Sequence, residues 1–505
     1  MSLDPRTPVL VGAGQVTRRK GAAGSPKSRS GASPLAFMVE ATRAAAVDAG
    51  ARGDALLARA QSVAVVDLFS WPVPDPGAAL AAELGLRPAE TVVSARGGNG
   101  PVALLGDLAT RVAAGHLDVA LLAGGEAGTA FQAALREGRD PGWGAQPDGT
   151  APTRKVGTDR DPGDPAELEA GLVAPIFWYP LFEHAVRGAA GRTREEHQTW
   201  LGELWLRFAD VACDNPHAWS TALPAIAAEI AEPGPGNRRI SDPYTKAMNA
   251  NITVDQGAAL LLCSVAAARA AGIAPERWVF VEATAGAHDH WLCGERDALH
   301  RSPAIAACGA AVLGHAGAGI DDVALLDLYS CFPSAVQVAA TELGIDLRDR
   351  RRAPTVTGGL AFAGGPANNY VMHALATLVA RLREQPDARG LATAVGWYLT
   401  KHGAALLAGR PGARRFVHHD VQAAVDAQPR RAIVPSAEAA AGRIEAHTAI
   451  YDRDGAATMG IVALRLPDGR RAFGRSHDPA TIAALQAGEP LGRGARTDGT
   501  AAFSL

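Results

Sequence analysis

The 505-residue chain contains only five cysteines, and their spacing argues against two classes of protein. They are scattered, odd in number and form no Cys-x-x-Cys pair; they are Cys213, Cys263, Cys293, Cys308 and Cys331. This pattern argues against a disulfide framework and against a thiolate metal site. We therefore expect no bound metal.

Long apolar segments and basic segments are also missing. No basic run or basic patch with interleaved aromatic residues stands out, and the net charge is −3, so nucleic acid is not an expected partner. The opening MSLDPRTPVLVGAGQ lacks the charged region and long apolar run of a signal peptide. The most apolar segment, residues 257–272, is broken by Ser264 and Arg269, which predicts a buried strand followed by a helix and not a membrane span. We expect a cytoplasmic protein.

The chain instead contains a repeat. VVDLFSWP (residues 65–72) matches LLDLYSCFP (residues 325–333), and Asp67 and Asp327 are 260 residues apart. The strand PVLVGAG matches WVFVEAT at an offset of 270, and the turn GGNGP at Gly97 matches GGPANN at Gly364 at an offset of 267. In each half a long helix follows the turn and leads to another apolar strand. Continuous apolar strands alternating with helices predict two similar α/β halves with buried sheets.

Two other segments depart from this repeat. Residues 128–248 combine Pro/Gly/Asp-rich loops with aromatic helical stretches, and an insertion this long usually covers a site. The tail has short alternating strands and Asp-Gly turns, which predict a small antiparallel barrel that is similar to the oligonucleotide/oligosaccharide-binding fold. The predicted domains are a first half (residues 1–127 and 249–272), the insertion (128–248), a second half (273–411) and the tail (412–505).

In order, these elements resemble the thiolase superfamily. The resemblance covers about residues 5–410 and rests on VLVGAGQVT, the Gly97 turn, AGGE, VDQGAALLLCS, LLDLYSCF, GGLAFAGGP and GLATAVG. The pattern is most similar to sterol-carrier-type thiolases and to actinobacterial thiolase-like proteins with an added C-terminal β domain. It implies a five-layered αβαβα fold and an acyltransferase ancestry, with CoA or acyl-CoA as the ligand and no required cofactor.

The resemblance also implies that the usual catalytic residues are missing. The nucleophilic cysteine of thiolases stands at the position of Gly97, at a helix N-terminus that lowers a thiol pKa. The histidine of the Gly-His-Pro motif is replaced by Gly365. Tyr329 stands where thiolases carry an asparagine or, in the sterol-carrier type, a histidine. Val395 or Ala394 stands where the second cysteine of thiolases would be.

What remains of the nucleophile site is a candidate oxyanion or anion site. Its residues would be Gly97, Gly98 and Asn99 of the first-half turn with Gly364 of the second-half turn. The glycines at 97 and 365 would leave room for a bulkier acyl group.

Other residues could carry relocated chemistry. The candidates are Tyr329, Cys331, Tyr398, Lys401 and His402. A Tyr398/Lys401/His402 cluster could do acid–base work or bind an acyl group, with a polar turn as the alternative. Cys331 could be a displaced nucleophile or a buried structural cysteine.

Several other polar residues have structural interpretations. His373 is expected to be a packed helix histidine, and His288 and His290 to lie in an exposed loop without a third metal ligand. Asp67 and Asp327 are expected to cap the turns that follow their strands. The glycine turns at Gly12 and Gly97 do not complete a dinucleotide fingerprint, so a nicotinamide enzyme is disfavoured.

Three functions follow as hypotheses. The leading one is a thiolase-like protein that binds an acyl-CoA or lipid thioester without ordinary thiolytic or Claisen chemistry. The second is acyl transfer or hydrolysis by the relocated residues. The third is a non-catalytic partner subunit of a lipid-metabolism complex that docks through the C-terminal domain, as a monomer or a homodimer.

Overall fold

The structure is a computed structural model that describes residues 3–19 and 33–505. Its helices are α1 (Pro34–Asp48), α2 (Gly53–Leu57), α3 (Pro76–Leu84), α4 (Gly100–Ala114), α5 (Gly128–Arg136), α6 (Pro165–Glu169), α7 (Pro175–Ala189), α8 (Arg194–Asp214), α9 (Ala227–Ala231), α10 (Val265–Ala270), α11 (Pro303–Ala316), α12 (Pro333–Leu343), α13 (Gly359–Phe362), α14 (Tyr370–Glu384), α15 (Gln422–Asp426) and α16 (Pro479–Gln486).

The strands are β1 (Pro8–Thr17), β2 (Ser62–Val65), β3 (Glu90–Ser94), β4 (Val119–Ala127), β5 (Arg154–Val156), β6 (Arg239–Ser241), β7 (Tyr244–Thr245), β8 (Asp255–Ser264), β9 (Val279–His288), β10 (Leu325–Asp327), β11 (Arg389–Gly396), β12 (Lys401–Ala408), β13 (Val417–Asp420), β14 (Ala439–Tyr451), β15 (Ala457–Arg465), β16 (Arg471–Ser476), β17 (Gly494–Asp498) and β18 (Phe503–Ser504).

One large mixed sheet contains both halves of the repeat. Its strand order is β10-β11-β12-β9-β1-β8-β4-β2-β3-β5, and β13 pairs with β9 beside this path. β1 pairs along most of its length with β8 but meets β9 only at Val9 and Leu10. The sheet therefore divides into a first-half part and a second-half part that touch at β1.

Five layers result from this arrangement. The equally long helices α4 and α14 lie in the middle, because α4 contacts both β4 and β9 and α14 contacts both β8 and β11. α1 covers the outer face of the first-half part, and α11 covers that of the second-half part. This arrangement confirms the predicted duplicated α/β fold, and β4 and β8 are buried along their whole length, as their apolar sequences predict.

The segment that is most apolar in sequence lies inside this core. It forms the end of β8 and then α10, as predicted, with Ser264 capping the helix by accepting a hydrogen bond from the Ala267 N–H. Within residues 3–19 and 33–505, no helix is long and apolar enough to cross a membrane.

The tail forms a second, antiparallel sheet in the order β16-β15-β14-β17-β18. Its two outer strands approach each other, because the Arg475 N–H donates to the Ala501 carbonyl at 2.8 Å and Arg475 forms a bridge with Ala502. The insertion also contributes to this sheet, since Ser241 of β6 pairs with Ile450 of β14.

The tail is packed into the rest of the molecule. Arg471 is fully buried, and its guanidinium donates to the Gly294 carbonyl at 2.8 Å, the Arg296 carbonyl at 2.6 Å and the Glu445 carboxylate. The Phe473 ring meets the Trp178 ring edge-on, with centroids 5.5 Å apart. The C-terminal domain therefore completes the core of the molecule and is not a loosely attached module.

A strand of the insertion covers the edge of the large sheet at β3. β5 pairs in parallel with β3 over Val92, Val93 and Ser94. Arg154 fixes this strand by donating to Glu90 at 3.1 Å and to Asp107 at 2.7 Å. A covered edge cannot pair with the same strand of a second copy.

We expect light scattering to give a monomer mass of 52.0 kDa, and a mass near twice that value would contradict this prediction.

Candidate functional site

The Gly97 turn lies between β3 and α4, where the sequence predicts it. Gly97 has a φ of 139°, and the Gly100 N–H donates to the Gly97 carbonyl at 2.9 Å. The Gly97 N–H donates to Asn368 Oδ1 at 3.1 Å. Asn368 is itself fixed, because its Nδ2 donates to the Asp67 carbonyl at 3.0 Å and to Asp67 Oδ2 at 3.1 Å. The N–H that an oxyanion would need is thus already bonded.

The Lys401 side chain fills the space in front of this turn. A Cβ added to Gly97 would lie 3.0 Å from Lys401 Cε and 2.7 Å from Asn99 Oδ1. Lys401 is buried, and its ammonium donates to the Arg96 carbonyl and, at 3.1 Å, to the Thr158 carbonyl. Burial lowers the pKa of Lys401 to about 8, against the opposing effect of Asp159 and Asp67. The expected free space at Gly97 is therefore absent, because a long side chain from β12 occupies it.

Tyr329 and Val395 meet the same turn from the second half. A Cβ on Gly98 would collide with Tyr329 Oη and would lie 2.5 Å from the Val395 carbonyl. Tyr329 is buried, and burial raises its pKa well above the usual range. The structure thus brings together the residues at the predicted positions and packs them directly against one another.

The second-half turn differs in how much room it leaves. A Cβ on Gly365 would meet its neighbours, the nearest being the Asn251 carbonyl and Leu360 Cβ, at 3.4 Å, which is ordinary contact. Gly364 has a φ of 108°, and a Cβ there would collide with Gln256 Oε1. Gly365, which stands where thiolases have their catalytic histidine, could accept a side chain, whereas the predicted oxyanion residue Gly364 could not.

The insertion covers the Gly97 turn from outside. The Arg96 N–H donates to Asp159 Oδ1 at 2.9 Å, and the Arg96 guanidinium donates to Asp67 Oδ2 at 3.1 Å. The Ala95 N–H bonds to the Val156 carbonyl at 2.7 Å. These contacts agree with the expectation that the insertion covers a site.

The Tyr398/Lys401/His402 cluster predicted from sequence does not form. Lys401 and His402 are adjacent on β12 and point to opposite faces, because side chains alternate along a strand. His402 Nε2 lies 2.9 Å from the Leu399 carbonyl and 3.1 Å from Asp289 Oδ2, on the side away from Gly97. Tyr398 packs on Trp178 with ring centroids 5.9 Å apart, and burial raises its pKa to about 12.

Ser302, His402 and Asp289 resemble a catalytic triad in composition but not in geometry. Ser302 Oγ and Asp289 Oδ2 both lie near His402 Nε2, at 3.4 and 3.1 Å, whereas a triad uses the two ring nitrogens separately. Ser302 also caps α11 by accepting from the Ile305 N–H at 3.3 Å, and Asp289 accepts from the Ala304 N–H at 3.0 Å. The three residues stabilise a buried helix start.

Cys331 is buried, and burial raises the pKa of its thiol to about 12. A thiol with this pKa stays protonated at neutral pH and is a poor nucleophile. This result favours the structural interpretation of Cys331 over the displaced nucleophile.

The other polar residues singled out from sequence hold loops and helices in place. His373 is buried with Nδ1 2.9 Å from Gln15 Oε1, and burial lowers its pKa to about 3. His288 and His290 do not converge, since His288 Nδ1 contacts the Asp289 carbonyl and His290 Nε2 contacts the Gln428 carbonyl. Asp327 accepts hydrogen bonds from Thr355 Oγ1 at 2.9 Å and from Tyr370 Oη at 2.9 Å, in agreement with a structural role.

A strained loop next to the Gly97 turn escaped the sequence analysis. Trp397 and Leu399 have φ values of 57° and 50°, which side chains larger than glycine rarely adopt. Tyr179 Oη holds both residues, because it donates to the Trp397 carbonyl at 3.0 Å and accepts from the Leu399 N–H at 3.2 Å. The loop starts at Gly396, whose Cα lies 3.2 Å from the Cβ position on Gly97.

Glu126 is another buried group that sequence did not single out as functional. Its carboxylate accepts from the Phe69 N–H at 2.7 Å and the Ser70 N–H at 2.8 Å, and it also bonds Ser70 Oγ. Burial raises its pKa to about 7 despite these bonds. The signal in the sequence was an acid at the end of the fully apolar strand β4. Its role is to bind the loop at residues 69–70 to that strand.

His184, Asp242 and His447 form a buried cluster between the insertion and the tail, with candidate metal-binding atoms within 4.8 Å of one another. The two imidazoles are stacked with centroids 3.9 Å apart and planes 28° apart. Two imidazoles on one zinc ion need centroids about 5 Å apart, with the ion in both ring planes. Arg194 also donates to Asp242 at 2.8 Å. As it stands, the cluster is suited to contact between domains and not to a metal.

This cluster predicts sensitivity to acid. Burial lowers the pKa of both His184 and His447, so in the folded state they stay neutral while the unfolded chain binds protons below about pH 6.5. The two neutral histidines therefore stabilise the folded state above about pH 6.5, and this part of the unfolding free energy is lost as the pH falls. Relative to His447→Gln, the unmodified chain should lose about 1 kcal/mol of unfolding free energy for each pH unit below 6.5. Urea unfolding at several pH values checks this.

The unmodified chain must be compared with a variant because other titratable groups change the pH dependence of stability in the opposite direction. Glu126 and Glu167 both have a pKa raised to about 7, so their ionisation on unfolding makes the protein less stable as the pH rises. His477→Gln, at an exposed histidine of the same domain, is the matched control and should leave the pH dependence unchanged. Parallel stability curves for His447→Gln and the unmodified chain would refute the assignment.

Comparison with known proteins places this geometry in a family. A family model described as the thiolase-like protein type 1 additional C-terminal domain matches residues 420–500. The crystal structure of a monomeric SCP2-thiolase-like protein type 1 (STLP1) from Mycobacterium smegmatis is 30% identical, covers 100% of both chains and gives a TM-score of 0.82. This chain belongs to the SCP2-thiolase-like protein type 1 family. The thiolase resemblance and the added C-terminal β domain are thereby confirmed.

More distant structures share the fold of this STLP1-family chain. The Ltp2–ChsH2(DUF35) aldolase is 20% identical over 80% of this chain and 99% of that one, with a TM-score of 0.60. The dimeric peroxisomal thiolase of Saccharomyces cerevisiae is 15% identical over 81% of this chain and 98% of that one, with a TM-score of 0.54. No curated protein matches the sequence.

Proposed function

We propose that this chain is a non-catalytic member of the thiolase superfamily that acts by binding, with an acyl-CoA or related lipid thioester as its ligand class. The observation that carries the proposal is the filled Gly97 turn, where Lys401 takes the space of a nucleophile and Asn368 takes the N–H of an oxyanion hole. Acyl transfer needs an activated nucleophile beside a base, and neither stands at this turn. The ligand is therefore expected to bind outside the closed centre.

Relocated catalysis receives less support from the same geometry. Cys331 carries a thiol that stays protonated, and Lys401 and His402 point to opposite faces of β12. Carbanion formation needs a base near the α-carbon of a bound acyl group, and the two basic side chains do not converge on one point, since Lys401 bonds the Thr158 carbonyl and His402 the Leu399 carbonyl. Binding without turnover remains the better explanation.

A partner subunit is the second candidate. It is favoured by one observation, the name of the Ltp2–ChsH2(DUF35) aldolase, a neighbour of the same fold that is described as an assembly of two components. The tail completes the core through Arg471, so a partner would have to contact its outward face and not replace it.

The test measures binding and thiol release in the same samples. The full chain is mixed with CoA, acetyl-CoA and a long-chain acyl-CoA, and thermal unfolding and free thiol are followed together. We expect stabilisation of about 1 kcal/mol at roughly fivefold ligand excess over Kd, with no thiol release. Thiol release would overturn the non-catalytic proposal, and the absence of any stabilisation would favour the partner subunit.

A further inference from the structure

A groove lined by arginines lies on the surface of the insertion, away from the Gly97 turn. It consists of two adjoining cavities of about 520 and 460 Å³ between the end of α7, one face of α8 and the loop after α12. Four arginines line the larger cavity: Arg192, Arg207, Arg348 and Arg350. The two cavities share Trp200 and Leu347 and therefore form one continuous groove.

Arg207 is held rigidly at the base of the groove. Its guanidinium donates to the Leu347 carbonyl, to the Asp349 carbonyl at 3.0 Å and to the Arg352 carbonyl at 2.9 Å. Backbone carbonyls orient this cation but do not neutralise it. The Arg207 side chain thus holds the loop that carries Arg348 and Arg350 against α8. Its guanidinium forms no ion pair with a carboxylate among the described residues.

Arg192 is fixed on the opposite side. Its guanidinium carbon lies 4.9 Å from the centroid of the Trp200 ring, and its Nη1 lies 3.4 Å from Gln337 Oε1. Trp200 Nε1 donates to the same Gln337 oxygen at 2.9 Å. The arginine and the indole are therefore preorganised on one wall of the groove.

The positive charges in the groove lack carboxylate partners. Burial lowers the pKa of Arg192 and of Arg207, and nearby Arg348 and Arg350 respectively lower them further, against the opposing effect of nearby carboxylates (Glu183, Glu196, Asp349 and Asp346). In residues 3–19 and 33–505, none of the four guanidiniums lies within 4.0 Å of a carboxylate oxygen, although the backbone N–H of Arg348 donates to Asp346 Oδ1 at 2.8 Å. The neighbouring Arg351, by contrast, pairs with Asp349 at 2.9 Å.

Two glutamates also line the larger cavity, but one is already engaged. Glu196 accepts a hydrogen bond from the Thr193 N–H at 2.9 Å as part of the cap of α8. Glu203 is the other. Asp346 lines the adjoining cavity, so four guanidiniums face three carboxylates in the whole groove, which keeps an excess of positive charge for an incoming anion.

We propose that this groove binds the phosphate groups of an organic phosphate, with the organic part in the adjoining cavity. Several guanidiniums around one cavity match the oxygens of phosphate esters, which arginine binds through paired hydrogen bonds. The second cavity combines apolar groups (Val186, Ala340, Ile345 and the Trp200 ring) with polar side chains (His300, Gln337 and Asp346), which suits an organic group with apolar and polar parts, and its volume is in the range of small-ligand sites. The inference rests on the proposed function, for which it names the binding site of the ligand.

The experiment uses the full chain and two exposed arginines. Titration calorimetry with sodium pyrophosphate, ADP and CoA should give saturable binding, with ADP or CoA tighter than pyrophosphate because the organic part adds contacts. The double variant Arg348→Gln/Arg350→Gln should bind at least about tenfold more weakly, since each lost charge-assisted contact weakens the complex. Both side chains are exposed and lack an internal ion-pair partner among the described residues, so the fold should not change.

The matched control removes the same charge elsewhere. Arg351→Gln/Arg410→Gln replaces two exposed arginines that do not line either cavity, and it should change the affinity by less than about twofold. Equal losses in both double variants would overturn the site, as would the absence of saturable pyrophosphate, ADP and CoA binding at about 5 mM ligand.

The three ligands distinguish binding of phosphate groups alone from binding of an organic phosphate. Measuring thiol release in addition distinguishes failure of the groove from failure of the proposed function. Equal affinity for pyrophosphate, ADP and CoA would overturn the role of the adjoining cavity. Thr341→Trp, which would fill that cavity, should remove the advantage of ADP or CoA but leave pyrophosphate binding unchanged. Thiol release from acyl-CoA with intact pyrophosphate binding would refute the non-catalytic function and leave the groove standing. CoA binding without thiol release that Arg348→Gln/Arg350→Gln does not weaken would refute only the groove.

Discussion

Replacing Arg471 by methionine should lower the free energy of unfolding by about 3–5 kcal/mol, as loss of one partner from a buried ionic contact does. The fully buried guanidinium bonds the carbonyls of Gly294 and Arg296 and the carboxylate of Glu445. Methionine fills most of the volume but leaves the carboxylate and both carbonyls without this donor. Urea unfolding followed by tryptophan fluorescence measures the loss.

The neighbouring residue provides the control for this prediction. Arg470 lies at the surface and pairs with Glu438 at 2.9 Å, so Arg470→Gln should change the unfolding free energy by less than about 0.5 kcal/mol. Equal stabilities for the two variants would mean that the tail does not depend on this buried contact.

We also expect a chain cut after residue 411 to be insoluble, because it would expose the apolar surface around Trp178.

A cysteine placed at position 97, where the resemblance puts the thiolase nucleophile, should not create thiolase activity. Gly97→Cys places a side chain at a φ of 139° and 3.0 Å from Lys401 Cε, so we expect a loss of roughly 2–5 kcal/mol in stability. Thiolysis of acetoacetyl-CoA should stay at the uncatalysed rate, because Gly365 supplies no base. Chemical unfolding measures the first effect, and the loss of free CoA thiol in the presence of acetoacetyl-CoA measures the second.

Two further variants separate the causes of this effect. Gly97→Cys/Lys401→Ala removes the contact with Lys401 but keeps the contact with Asn99 and the backbone strain, and should recover part of the lost stability. Gly365→Ala has ordinary contacts at 3.4 Å and should cost less than about 1 kcal/mol. A Gly97→Cys protein as stable as the unmodified chain would show that the turn is more open than its contacts indicate.

The duplicated fold was predictable because each repeat unit carries its own local pattern. Continuous apolar strands such as β4 and β8 must be buried on both faces, and turns at a constant offset must lie at equivalent places in two similar halves. The helix after each turn followed from the same argument, and α4 and α14 do lie together in the middle layer. None of these inferences needed a contact between distant residues.

The filled site was not predictable from the same patterns. The resemblance to thiolases implies a nucleophilic cysteine at the position of Gly97, but it does not say which residue fills the space beside this glycine. Lys401 comes from a strand 304 residues further along the chain, and its direction depends on the register of β12. The apparent Lys401/His402 pair failed for the same reason, since neighbours on a strand face opposite ways.

The arginine groove was missed because its charge is dispersed in sequence. Arg192 and Arg207 come from the insertion, and Arg348 and Arg350 belong to a short stretch interrupted by Asp349. Only the packing of α8 against the loop after α12 brings these charges to one surface. The same holds for the His184–His447 stack, which joins residues 263 positions apart.

The buried Arg471 contact also has a consequence for synthesis of the chain on the ribosome. The Arg296 carbonyl leaves the ribosome 175 residues before its partner Arg471. At about 5–20 residues per second, this carbonyl waits roughly 9 to 35 s for its donor. Throughout that interval the Trp178 side of the nascent core lacks the strand that covers it, so the thiolase-like halves can reach their final packing only when translation is nearly complete.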